Sequence, residues 1–424
     1  MNVISRIIDS CRVCDFDKLT PILSLGDLYI SDFLQESEIN EAEKAPLDLV
    51  LCNENDGGCG LLQLKHTVSN ELMYRRYWYF SGTNKTMIEE LNNIASKIEE
   101  LVNFKDGDFV MDIGANDGTL LRGYKTIGLN LTGFEPAKNL EKYNSVGTTK
   151  IINDFFNYEA WQKEFGDTKA KAITAIAMFY DLDDPNKFIA DVVKCLDKDG
   201  IFIIQMAYLP SMLLKNMFDN ICHEHLEYYS LLSLENLLER HNLEIFDVEL
   251  NDINGGSFRI YIKRKDGGQS IKIPEGARQR INNLKENERK LKLNDKKIYE
   301  DFAERVEKIK KEVFNFIKSE VENGKKVYVY GASTKGNTLL QYFNLDNSLI
   351  KAAAERNSTK WGRKTIGTNI PIISEEQARD EKPDYFLILP WHFLKEFKER
   401  EVEYLKNGGK FIVPLPEFEI IGNN

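Results

Sequence analysis

Residues 110–119 read Val110-Met111-Asp112-Ile113-Gly114-Ala115-Asn116-Asp117-Gly118-Thr119. An apolar run takes up a carboxylate near its end, turns over two glycines and passes into LLRGY. This is the opening of a strand-turn-helix unit. Gly114 and Gly118 let the backbone approach a ligand where a Cβ would stand in the way. Such a turn lies at the carboxyl edge of a parallel sheet, where doubly wound folds bind their ligands. The spacing D-x-G-x-x-x-G differs from the dinucleotide fingerprint G-x-G-x-x-G.

On the C-terminal side, apolar runs alternate with helical stretches as far as about residue 265: LTGFEP, KAITAIAMFYDL, IFIIQMAYL and FRIYIKR. That alternation predicts a parallel, doubly wound sheet. On the N-terminal side stand a helical pattern, IEELNNIASKIEELV, and a tyrosine-dense connection, MYRRYWYFSGTNKTM. Residues 1–72 are short β-like runs and turns. Residues 275–323, laced with lysine and glutamate, read as a solvated helix bridging two domains. A second strand-turn-helix, KKVYVYGASTKGNTLLQYF, then leads into LIKAAAERN, DYFLILPWHF and GKFIVPLP. The expected fold class is α/β. A Rossmann-like domain at 73–270 is flanked by a small head at 1–72 and by a helical linker with a second Rossmann-like domain at 271–424.

The chain of 424 residues is 42% hydrophobic and 29% charged, a globular balance too long for one ordinary core. A formal charge of -11 argues against nucleic acid as the main partner, because phosphate binding rests on Lys and Arg contacts. No stretch approaches the ~20 apolar residues of a spanning helix, and the N-terminus lacks a signal-peptide pattern. A cytoplasmic monomer is expected.

Four of the six cysteines fall in two close pairs, Cys11-x-x-Cys14 and Cys52-x6-Cys59. Four thiolates in knuckle-like pairs suit a tetrahedral Zn²⁺, and with no open ligand position the ion would be structural. A small head without much core has use for such a staple. Cys195, in FIADVVKCL, reads as merely buried.

Around residues 110–119 the pattern resembles the first motif of S-adenosylmethionine (SAM)-dependent methyltransferases, in which an acidic group and backbone atoms hold the methionine end of the cofactor. Asp112, Gly114, Asn116 and Gly118 are the candidate contacts. The next strand ends in Gly133-Phe134-Glu135-Pro136, which brings a carboxylate about twenty residues on, placed to accept both ribose hydroxyls. Asn153, Asp154, Phe155 and Phe156 offer the adenine a polar edge and an aromatic face. The fourth strand would close the pocket near Phe179 and Tyr180. Tyr79 and Ser81 are further cofactor candidates, and Tyr77 a substrate candidate; for the tyrosines, core packing between head and sheet is the alternative. An NAD-type Rossmann domain, or an α/β fold with no cofactor, remains open on these motifs alone.

His223-Glu224-His225, in NICHEHLEYYS, places two of only five histidines around a carboxylate. Imidazole beside a carboxylate titrates near neutral pH and is held in orientation, as a general base requires. A metal reading is incomplete, because the loop shows no clear third ligand. A structural histidine pair is the plain alternative.

At these residues the chain resembles the C-methyltransferases that act on nucleotide-linked 4-keto-deoxysugars. The resemblance runs over essentially the whole chain. It comprises the four-cysteine head, the Ser81–Asn84 segment SGTN, the SAM motif, the HEH loop, Gly-Gly-Ser-Phe-Arg at 255–259, and the C-terminal runs GASTKGNTLL, ERNSTKWGRKTIGTNIPI and LPWHF. It implies a base that removes the proton beside a keto group, followed by methyl transfer to that carbon. By the resemblance His225 is the base, Glu224 orients the histidines or touches the sugar, and His223 and Tyr228 lend support. Asn254, Ser257 and Arg259 are expected to contact the substrate. In the C-terminal turn, backbone amides near Gly331 and Gly336, with Lys335, would hold a diphosphate; Asn337 is a further substrate candidate, and Trp391 and His392 either join the same pocket or pack the domain. That turn lacks the Walker spacing, so an NTPase is not expected. Arg356, Lys360 and Arg363 add local positive charge.

The chain departs from the family at two places. Cys222 stands where members usually carry a tyrosine whose hydroxyl lies close to the sugar, and a thiol is a poorer donor. Asp181 stands where some members have histidine. Two other readings stay open: a sugar O-methyltransferase using the same cofactor, and a zinc-bearing nucleotide-sugar-binding protein without catalysis.

Overall fold

The computed structural model describes residues 5–35, 43–75 and 77–422. Arg76 of the tyrosine-dense connection lies outside the described residues.

The middle sheet grows from the apolar runs. In chain order its strands are Phe109–Ile113, Asn130–Phe134, Lys150–Ile152, Ala170–Ile176, Leu196–Ala207, Leu243–Asn251 and Ser257–Arg264. They lie side by side as third, second, first, fourth, fifth, seventh and sixth. The first five are parallel, and the seventh runs antiparallel to both of its neighbours. Helices cover both faces, so the central strand Leu196–Ala207 is buried without alternation from Ile201 to Met206, a run that is apolar except for Gln205. The order reverses between the first and fourth strands, which leaves a crevice at their carboxyl ends.

A second parallel sheet follows. Its strands Val327–Tyr330, Ile350–Glu355, Ile372–Ser374, Tyr385–Ile388, Lys410–Val413 and Glu419–Ile421 are ordered third, second, first, fourth, fifth, sixth, and only the last pairing is antiparallel. It too reverses beside its first strand, so the molecule has two crevices of the same origin.

The head supplies strands Thr20–Tyr29, Lys44–Leu51 and Leu62–Leu64 to an antiparallel sheet. Its fourth strand comes from far along the chain: Glu227–Tyr228 pairs with Gln63 and Leu62. Phe33–Leu34 likewise pairs with Lys364–Thr365 of the C-terminal unit. The head therefore shares its core instead of building one, as a small segment must. Leu47, Leu49 and Leu62 pack in one cluster with the second sheet, while Cys11, Cys52 and Cys59 pack with the middle sheet.

The charged stretch differs from its expected form. It is two helices, Ala277–Leu291 and Lys296–Glu322, and the second is not a solvated bridge. Tyr299, Phe302, Val306, Ile309, Val313 and Ile317 form a buried stripe against the head and the second sheet. Their spacing of three and four residues is that of one helical face. After the HEH loop, a two-residue strand precedes the helix Leu231–Glu239. Among the described residues no helix is long and apolar enough to cross a membrane.

Candidate active site

The four head cysteines converge. Cys11 and Cys59 sulfurs lie 3.6 Å apart and Cys14 and Cys52 sulfurs 3.4 Å apart, and all four lie within 4.8 Å of one another. A disulfide would need about 2.05 Å. A tetrahedron of sulfurs at about 2.3 Å from zinc has edges of about 3.8 Å, so the set fits Zn²⁺ with every position taken. The second knuckle is shaped by Gly58, where a Cβ would fall 2.5 Å from the Cys52 sulfur. Cys195 is buried in the middle core, away from this group.

At the middle crevice, the turn after Ile113 is stitched to the SGTN segment. Asn116 takes a left-handed conformation with φ 49°, and its Oδ1 accepts from the Ser81 N–H at 3.0 Å while its Nδ2 donates to the Tyr79 carbonyl at 3.1 Å. Asp117 accepts from the Gly82 N–H at 2.7 Å. Glu135 accepts from the backbone N–H of Asn116 and of Ala137, both at 2.8 Å. Asp112 accepts from the Thr174 hydroxyl at 2.6 Å. Burial raises both carboxyls to about 7, so each gains from a cationic or hydroxyl partner. Gly114, at φ 74°, keeps the approach open: a Cβ there would lie 3.1 Å from the Met178 side chain. These features suit the positively charged methionine end and the ribose of SAM, which Asp112, Gly114 and Glu135 could hold.

This crevice opens into a cavity of about 550 Å³, lined also by Tyr77, Tyr79, Ser81, Asn116, Pro136 and Phe155. Glu224 and His225 line it from the HEH loop. Two backbone bonds fix the loop: Leu226 donates to the Tyr180 carbonyl at 2.8 Å, and its own carbonyl accepts from Leu64 of the head at 2.8 Å. His225 sets its Nδ1 2.9 Å from the Asn220 carbonyl, and its ring meets Tyr180 edge-on with centroids 4.3 Å apart. A carbonyl accepts only, so Nδ1 carries the hydrogen and Nε2 is left with a lone pair. Burial, aided by the charge of Lys335, lowers His225 to about 3, and burial raises Glu224 to about 7.

The second sheet's crevice faces the same cavity. Ser333, Thr334 and Lys335 follow its first strand, and Leu389, Pro390 and His392 follow its fourth. Burial, then the charge of Lys335, lowers His392 to about 3. Asn254, at φ 53°, lines both this cavity and an adjoining groove of about 930 Å³ near Arg356.

Other expected contacts lie elsewhere. His223 sets Nε2 2.9 Å from the Ala45 carbonyl, facing the head. Phe179 packs between Phe188 and Tyr229, because the single turn Phe179–Asp181 sends it into the core and Tyr180 into the cavity. Gly118 packs against the Asn144 backbone, and exposed Asp154 pairs with Arg75 at 3.2 Å. Arg259 bonds Glu90 at 2.7 Å and Gln205 at 2.8 Å, tying helix Lys85–Leu101 to the sheet. Ser257 donates to the Ile253 carbonyl, and Tyr228 donates to that of Asn220 at 3.3 Å; each borders only a small recess beside the main cavity. Gly331 abuts Pro390, and Asn337 donates to Ser31 and to the Asp32 carbonyl of the head. Cys222 is buried behind the cavity wall, its sulfur within 4.8 Å of Glu224 and His225 ligand atoms. Lys360 donates to the Ala332 carbonyl and Arg363 to that of Phe33.

Three cavity features were not singled out from sequence. Tyr74 donates to the Glu224 carbonyl at 3.1 Å. Asp181, noted only as a departure, lines the cavity with one oxygen lacking a partner, and burial raises it well above the usual carboxylate range. Asn220 holds the His225 ring through its carbonyl. The density of tyrosine hinted at Tyr74, but no sequence pattern marks a residue that acts through its backbone.

Comparison with known proteins agrees with this arrangement. A zinc-binding domain model matches residues 11–74, a methyltransferase domain model 85–248, and a C-methyltransferase C-terminal domain model 252–416. The class is thus a zinc-bearing, SAM-dependent methyltransferase. The C-methyltransferase NovU of Streptomyces niveus is 30% identical over 424 residues, 99% of each chain. The chain belongs to this C-methyltransferase family. Among solved structures, the mitomycin 7-O-methyltransferase MmcR is 16% identical over 43% of this chain and 55% of its own, with a TM-score of 0.33. The plantazolicin methyltransferase BpumL, in complex with SAH, is 13% identical over 41% of this chain and 82% of its own, also at 0.33.

Proposed function

We propose that the protein methylates a nucleotide-linked deoxysugar at C3, the carbon beside a 4-keto group, with His225 as the base. The observation that carries this reading is the geometry of His225. Its Nδ1 hydrogen is engaged by the Asn220 carbonyl, its Nε2 lone pair is free of that bond, and it borders the same cavity as Gly114 and Glu135. Burial keeps the imidazole neutral at physiological pH, so Nε2 is unprotonated, but it also makes the ring a weaker base than the near-neutral titration expected from the sequence. The keto group acidifies the neighbouring C–H; the proton passes to Nε2, and the electron pair is delocalised onto the keto oxygen as an enolate. SAM, when bound, supplies an electrophilic methyl group to that carbon.

Glu224, poised near neutrality, would hydrogen-bond a sugar hydroxyl, and Tyr77 and His392 would line the sugar and diphosphate path. Ser333 and Thr334, at a helix N-terminus, suit a phosphate oxygen. On this reading the chain divides into a zinc head at 1–72, a SAM domain at 73–270 and a nucleotide-holding unit at 271–424, working as a cytoplasmic monomer. A second reading draws on Cys222. With a buried thiol where the family has a phenol, the same imidazole could instead deprotonate a sugar hydroxyl, giving an O-methyl product.

A nucleoside-diphosphate 4-keto-6-deoxysugar incubated in deuterated water without SAM tests the first reading. Exchange at C3 is expected, reduced about 10²–10⁴-fold in His225→Asn, and NMR of the product formed with SAM should show a C-methyl group. Undiminished exchange in that variant, or an O-methyl product, would overturn it.

A further inference from the structure

An enolate needs more than a base; the oxygen that takes up the negative charge needs a donor fixed before the reaction begins. The middle crevice brings phenols to that task, Tyr77, Tyr79 and Tyr180, but its charge is chiefly negative. Asp112, Glu135, Asp181 and Glu224 all face the cavity as acids, and the phenol expected at 222 is a cysteine. Among the described residues, two cations line the cavity, Lys187 and Lys335. Lys187 belongs to the helix Pro185–Cys195, whose start also carries Asp183 and Asp184. Lys335 comes from the opposite wall, on the first turn of helix Thr334–Tyr342.

One residue links Lys335 to the base. Asn220, 1% exposed, accepts the Lys335 ammonium on Oδ1 at 2.6 Å, and its carbonyl accepts the His225 Nδ1 hydrogen at 2.9 Å. Asn220 is itself held by its Nδ2 bond to the Met217 carbonyl, 3.1 Å away. Phe218, two residues before it, packs on Tyr342 of the Lys335 helix. That helix is anchored to the head through Asn337 and through Gln341, which accepts from the Tyr29 N–H at 2.7 Å. The ammonium and the imidazole are thus set in one rigid frame. An ammonium has three donors and Asn220 uses one. The reach of the charge is visible in its neighbours: burial raises the carboxyls of Asp181, Asp219 and Glu224 and the ammonium offsets part of that rise, while it adds to the burial that lowers His225 and His392.

We propose that Lys335 is a catalytic residue, whose ammonium donates to the keto oxygen as it becomes an oxyanion, and that Asn220 is the positioning residue that aligns this cation with the base. The C–H bond breaks toward His225 Nε2, the carbonyl π pair moves to oxygen, and that charge meets Lys335. This rests on the enolate reading above and adds to it. The C-terminal unit then supplies half of the chemistry as well as a place for the nucleotide.

The test is the same exchange reaction on full-length, zinc-loaded protein. Lys335→Met is expected to slow exchange about 10²–10³-fold, seen in kcat with KM little changed and with SAM affinity and zinc content as in the wild type. Lys335→Arg should recover part of the rate. Asn220→Asp, which keeps an acceptor for the ammonium, should exchange faster than Asn220→Leu, which does not. Wild-type exchange in Lys335→Met, or a loss confined to KM as a plain diphosphate contact would give, overturns the assignment while leaving the enolate reading intact. Absence of exchange in the wild type overturns both.

Discussion

The two crevices of this molecule are built alike and charged oppositely. Each opens where a parallel sheet reverses order beside its first strand, and each faces the same cavity. The middle crevice presents buried carboxyls, Asp112 and Glu135, both raised to about 7 by burial. The C-terminal crevice presents Lys335 and the hydroxyls of Ser333 and Thr334. A cationic cofactor suits the first, and on the proposed reading an anionic substrate suits the second. Topology alone fixes where a ligand sits; the side chains set there decide its sign.

The comparison can be broken most severely at the part both crevices share. Extraction of zinc, or Cys52→Ser, is expected to abolish activity and lower Tm by about 10 °C or more, because structural zinc binding is folding free energy. The HEH loop hangs from the head through Leu64 and Gln63, so metal content, melting and turnover should fall together. Activity that survives in metal-free protein would show the loop to be independent of the head.

Glu135→Gln sharpens the contrast. It removes charge from one crevice only and is expected to weaken SAM binding about 10–100-fold, the scale of a charged hydrogen bond, while nucleotide binding stays unchanged. Calorimetry with each ligand separates the two; equal losses would mean that the crevices are not distinct.

A smaller effect lies in pH. Between about pH 4, where carboxyls ionise in the unfolded chain, and about pH 7, where Asp112 and Glu135 ionise when folded, the native protein holds more protons than the unfolded one. Stability without cofactor is therefore expected to fall as pH rises through that window. SAM, being cationic, favours the ionised carboxyls, so its Kd should tighten as pH rises past about 7. Melting with and without SAM, and Kd between about pH 6 and 8, check both signs. A Kd that does not change would contradict a carboxylate contact.

The mildest test is Gly82→Ala. A Cβ there would fall 2.8 Å from the Asp117 carboxylate that receives the Gly82 N–H. A loss of about 1–2 kcal/mol on denaturation, with weaker SAM binding and unaltered nucleotide binding, is expected.

Much of this was legible beforehand because it is local. The apolar runs, the glycine turn and the carboxylate ending the next strand each report on a few neighbouring residues, and the paired cysteines carry their ligand number in their spacing. Phe179 lies outside the cavity because one turn of backbone decides which of two adjacent side chains enters it, and Gly118 because it packs against the Asn144 backbone. The stripe from Tyr299 to Ile317 was also present in the sequence, but the lysines and glutamates between its members concealed it.

The sequence by itself determined the two α/β units, the four-thiolate cluster and the chemical types available for catalysis, since periodicity and short spacing are properties of the chain alone. Only the tertiary structure decided which of them meet. His225 faces the cavity and His223 the head. Lys335 reaches Asn220 across 115 positions of chain. Such encounters depend on how sheets and loops pack at long range, and nothing local in the residues records that packing.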